Sequence, residues 1–109
     1  MTVQLLIYYS DKDFDLIPIT GSYNFNRDWK PVAEKLKLPI ILHFGAVTLG
    51  REHIPTLIDE LKIFRDFCQD QSNEVFPSSR DNTLSNLKRL FAALEDAQND
   101  PTVIEISIG

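Results

Sequence analysis

At 109 residues, 43% hydrophobic and 25% charged, the chain has the size and make-up of one soluble globular domain spanning residues 1–109. Its formal charge of −5 repels phosphate backbones and anionic membrane surfaces, so neither nucleic acid nor membrane is an expected partner. Cys68 is the single cysteine, which rules out an internal disulfide and fits a reducing compartment. The start, MTVQLLIYYSDKD, lacks the pattern of a signal peptide, and no apolar run nears the roughly 20 residues of a bilayer-spanning helix. The expected location is the cytoplasm.

Val3–Tyr9 (VQLLIYY) is a near-continuous apolar run, the pattern of a central strand covered on both faces. A polar break follows over Ser10–Asp15. Leu16–Thr20 contains Pro18, which removes a ladder donor and predicts an edge strand or extended loop. Thr20–Trp29 (TGSYNFNRDW) is expected as a loop. A first helix is predicted from Asp28, a good N-cap, with Pro31 in its first turn and Trp29, Val32, Ala33 and Leu36 at helical spacing. Pro39–Phe44 (PIILHF) has the β-branched, apolar character of a second main strand, placed by a short crossover parallel to the first.

Gly45–Gly50 is expected as a loop with room for a short extended piece. A second helix is predicted over Arg51–Asp70, with Ile54, Leu57, Ile58, Leu61, Phe64, Phe67 and Cys68 inward and Asp59, Glu60, Lys62, Arg65, Asp66 and Gln69 facing water. A third runs over Ser79–Gln98, with Ser78 and Ser79 as candidate caps and Leu84, Leu87, Leu90, Phe91, Leu94 and Ala97 on one side. Val103–Ile108 reads as a half-buried strand in which Ile104, Ile106 and Ile108 alternate with Glu105 and Ser107. The expected fold class is α/β, with α+β as the other form: a small mixed sheet of three or four strands with three helices, in the order β(β)αβααβ. The order of strands within the sheet does not follow from the sequence.

No segment carries a specific catalytic, nucleotide-binding or metal-binding signature. Asp11, Asp13 and Asp15 have the spacing that opens a calcium loop, but Leu16 stands at the glycine position and Ser22 at the closing glutamate. A solvated turn is the simpler reading. His43 and His53, the two histidines, lack metal-ligand spacing. Cys68 lies on an apolar stripe between Asp66 and Asp70, a setting for packing rather than nucleophilic chemistry. The expectation is therefore no catalytic set, no metal and no cofactor.

Tyr23, Phe25, Arg27 and Trp29 carry the strongest recognition signal, because tyrosine, tryptophan and arginine are enriched at binding hot spots. The alternative is that Phe25 and Trp29 belong to the core and only Tyr23 is exposed. The Glu74–Arg80 loop, with Phe76, is a second candidate. In size, acidity and α/β make-up the chain resembles small stand-alone bacterial domains that include some toxin-neutralising immunity proteins, a resemblance of composition that covers no motif and transfers no residue. The leading expectation is a non-catalytic interaction module that binds a protein partner or self-associates. The alternatives are a small-ligand domain with a pocket near Tyr8, Tyr9 and His43, or a metal-dependent enzyme built on Asp11, Asp13 and Asp15.

Overall fold

The computed structural model describes residues 2–70 and 80–109. The elements run β1 (Thr2–Tyr9), β2 (Asp15–Gly21), α1 (Ser22–Asn24), a π turn (Phe25–Trp29), α2 (Lys30–Leu36), α3 (Pro39–Leu42) and β3 (Val47–Gly50). A 3-10 turn (Arg51–His53) then leads into α4 (Ile54–Gln69), followed by α5 (Arg80–Asn99) and β4 (Val103–Ile108). The four strands form one sheet in the order β2-β1-β4-β3, every pair antiparallel. The fold is a mixed α/β domain, as expected, but the sheet is antiparallel rather than mixed.

The strand β1 is internal, as its apolar run predicts. Only one of its faces is fully covered: Val3, Leu5 and Ile7 are buried, while Gln4, Leu6 and Tyr8 are half-exposed. Pro18 sits in β2 at the sheet edge, where its missing N–H breaks no ladder. The strand β4 lies inside the sheet, between β1 and β3. A register shift opposite Tyr8 and Tyr9 skips Ile104, which is why that residue is 54% exposed while Val103, Ile106 and Ile108 are buried.

Two corrections concern the segment between β2 and β3. Ser22–Leu36 is helical or π-turned throughout, so Asp28 is buried inside the run rather than capping a helix. Pro39–Leu42 is a short helix, not a strand parallel to β1. Lys37 ends α2 in the left-handed region (φ 57°), and the Leu38 N–H donates to the Ala33 carbonyl at 2.9 Å, closing the helix C-terminus. Pro39 then starts α3 with its φ already helical. The N–H groups of Ile40 and Ile41 donate to Oε1 of Glu60, on α4, at 3.1 and 3.2 Å. Glu60 is buried rather than facing water as expected. Its carboxylate satisfies donors that α3 cannot satisfy itself. Glycine is needed at position 45, where φ is +105° and the N–H donates to the Ile108 carbonyl at 3.0 Å.

The long helices follow the expected stripes. Ile54, Leu57, Ile58, Leu61, Phe64 and Cys68 of α4 are buried, as are Leu87, Leu90, Phe91, Leu94 and Ala97 of α5. They join β1, β4 and the α1–α3 segment in one core. Arg51 ties that core to the end of α5. Its guanidinium donates to the carbonyls of Gln98 (2.7 Å), Val103 (3.1 Å) and Asp100, partnering acceptors at a helix C-terminus where positive charge is favoured. The candidate caps Ser78 and Ser79 and the Phe76 loop lie outside the described residues.

Candidate functional site

The segment that carried the recognition signal folds as a helical run with two faces. Phe25, Asp28 and Trp29 share a helical face by spacing and are buried. Trp29 stacks on Phe64 of α4 with ring centroids 4.9 Å apart, and Phe25 stacks on Phe44 at 5.9 Å. These four rings knit the π turn, the turn after α3 and α4 into one aromatic cluster. Phe25 and Trp29, 5% and 1% exposed, are therefore core residues, as the alternative reading had it, and of the expected set of Tyr23, Phe25, Arg27 and Trp29 these two are withdrawn as surface residues.

The outer half of the set is Tyr23 and Arg27. Tyr23 is 73% exposed, more than any other large apolar side chain among the described residues. Arg27 lies one helical turn on, with its guanidinium 5.3 Å from the Tyr23 ring centroid. Its position is fixed from the other side. Nε donates to Oδ1 of Asp28 at 2.7 Å and Nη2 to Oδ2 at 2.8 Å, a two-pronged charged pair. The Asp28 side chain is 2% exposed and that of Arg27 46%. A buried carboxylate thus anchors a half-exposed cation, which in turn lies against the exposed phenol. The hydrogen bonds that Arg27 donates to Asp28 hold its pKa above the ordinary value of a guanidinium that is already charged at neutral pH.

The other candidates remain apart. Asp11, Asp13 and Asp15 are exposed, and Asp15 accepts a hydrogen bond from the Tyr9 hydroxyl at 2.7 Å. That bond, reinforced by partial burial and by the Asp15 charge, pushes the Tyr9 pKa up to about 12. His43 sits at the end of α3 with Nδ1 2.7 Å from the Pro39 carbonyl oxygen, and His53 is exposed beside Glu52. Among the described residues, no three His, Cys, Asp or Glu side chains converge on a metal position. Burial pushes the Cys68 thiol up to about 12, so it is a thiol at neutral pH and a poor nucleophile. A groove of about 610 Å3 lies between α4 and α5, and none of Tyr8, Tyr9 or His43 borders it.

Two residues with structural roles escaped the sequence reading, Glu60 and Arg51. For Glu60 a signal was present: it falls on the helical face that also carries Leu57 and Phe64. For Arg51 there was none, since its carbonyl partners lie about fifty positions away in the chain. Among the described residues, no helix is long and apolar enough to cross a membrane. Comparison of the chain with protein-family models, with curated proteins and with solved structures finds no match.

Proposed function

We propose that this protein is a non-catalytic interaction domain that binds a protein partner through the face bearing Tyr23 and Arg27. The observation that supports the reading is the fixed pairing of a 73% exposed tyrosine with an arginine held by a buried aspartate. Tyrosine and arginine supply large contact area and directional hydrogen bonding, and a side chain already held in place loses less entropy on binding. The charge of −5 favours a basic partner, steered electrostatically into contact. In its sharpest form the reading is an immunity-type inhibitor of a basic toxin, supported by acidity and size.

Affinity capture from a native lysate, with the full chain as bait, tests the reading. The expected result is one stoichiometric component whose retention falls as salt rises, because exposed charges are screened over about 8 Å at physiological ionic strength. Recovery of no such component, with light scattering showing a monomer at every concentration, contradicts it.

A further inference from the structure

The groove between α4 and α5 is a second surface, sharing no residue with the Tyr23 and Arg27 face. Its floor includes Leu84 and Phe91, and its rim carries Lys62 and Arg65 from α4 and Lys88 from α5. Among the described residues Glu95 is the one anionic residue in the lining, against the cations Lys62, Arg65 and Lys88, so these residues make a locally cationic furrow on a chain of net charge −5. The Arg65 guanidinium lies 5.2 Å from the Phe91 ring centroid, which keeps a cation on the apolar floor. Lys62 and Lys88 are exposed and make no ion pair among the described residues. Along α5 the lining runs from Leu84 to Glu95, about 16 Å or three helical turns at 1.5 Å per residue.

We propose that this groove docks an acidic amphipathic helix of about three turns supplied by another protein. The apolar floor takes the helix's apolar stripe, and Lys62 and Lys88 face carboxylates flanking that stripe, while Arg65 is already paired with Asp66 at 3.4 Å. The charge pattern selects this occupant over a nucleic acid. A long polyanion meets the acidic remainder of the surface, whereas a short helix meets only the rim within a Debye length.

The test is fluorescence anisotropy with a labelled helix-forming peptide of about 14 residues, carrying leucines at i, i+3, i+4 and i+7 and glutamates beside them. A matched peptide carries lysines in place of the glutamates, and a single-stranded oligonucleotide of about the same length is the third probe. The full chain is expected to bind the glutamate peptide at least about tenfold more tightly than the lysine peptide, with affinity falling as salt rises. K62E/K88E is expected to reverse that preference while keeping the wild-type circular dichroism spectrum. Should that variant fail to fold, K62Q/K88Q is expected to erase the preference without reversing it. Equal affinity for the two peptides, unchanged binding after substitution, or tighter binding of the oligonucleotide would each overturn the proposal.

Discussion

The two helical regions of this protein reach their shapes by different routes. In the α4–α5 pair each helix carries its own instruction: an apolar stripe at helical spacing over 16 and 20 residues. The stretch from Ser22 to Phe44 carries far less. Its helical run over Ser22–Leu36 is interrupted by a π turn and α3 has four residues, and neither is long or regular enough to persist alone. They are held by Trp29 and Phe25 in an aromatic cluster and by a carboxylate reaching across from α4. The lesson is that this second region depends on the first. That same dependent region carries the exposed Tyr23 and Arg27, so the proposed recognition face stands on a segment packed from beneath.

The largest effect is expected from removing the central ring of the aromatic cluster. Trp29→Ala should destabilise the fold by about 4 kcal/mol, read by chemical denaturation, because it leaves a cavity beneath Phe25, Phe44 and Phe64. The α4–α5 pair should lose amide-exchange protection later than residues 22–44 in that variant. Equal loss in both regions contradicts the proposed dependence.

A smaller effect separates the two jobs of Glu60. Glu60→Ala strands the N–H groups of Ile40 and Ile41 and should destabilise by about 2 kcal/mol. Glu60→Gln keeps an acceptor oxygen without a buried charge and should stay within about 0.5 kcal/mol of wild type. Burial raises the Glu60 pKa, only partly offset by the two backbone hydrogen bonds. With the folded pKa above the unfolded one, this group's contribution is most favourable below the unfolded value and is lost as pH rises through the folded value. Wild type should therefore gain on Glu60→Gln as pH falls from 7 towards 4, measured by denaturation at each pH. A constant difference contradicts the burial argument.

The smallest change runs in the stabilising direction. Lys37 holds a left-handed backbone without being glycine, so Lys37→Gly should raise stability by about 0.5–1 kcal/mol at the C-terminus of α2. A fall in melting temperature would show that the lysine side chain matters more than the backbone strain.

These differences explain what was legible in the sequence. The strand β1, the edge position of Pro18 and both long helices follow from local periodicity and proline chemistry, which a single sequence displays. PIILHF looks like a strand because its β-branched residues suit one, yet Pro39 and a cap from a residue twenty positions later make it a helix. The burial of Phe25 and Trp29 was open for a related reason: nothing local says where Phe44 and Phe64 will stand. Of the candidate surface, Tyr23 and Arg27 were legible as residue types. Their pairing at i, i+4 needed the stretch to be helical, where its polar, glycine-led sequence pointed to a loop.

The most direct test of the central claim, that one helical run stabilises on its inner face and recognises on its outer face, is a bait carrying Tyr23→Ala. It should melt within a degree or two of wild type, since an exposed side chain contributes little to folding, yet lose the captured component, whereas a bait altered at the exposed Ile104 to alanine keeps it. Undiminished capture by the Tyr23→Ala bait, at an unchanged melting temperature, would contradict the account.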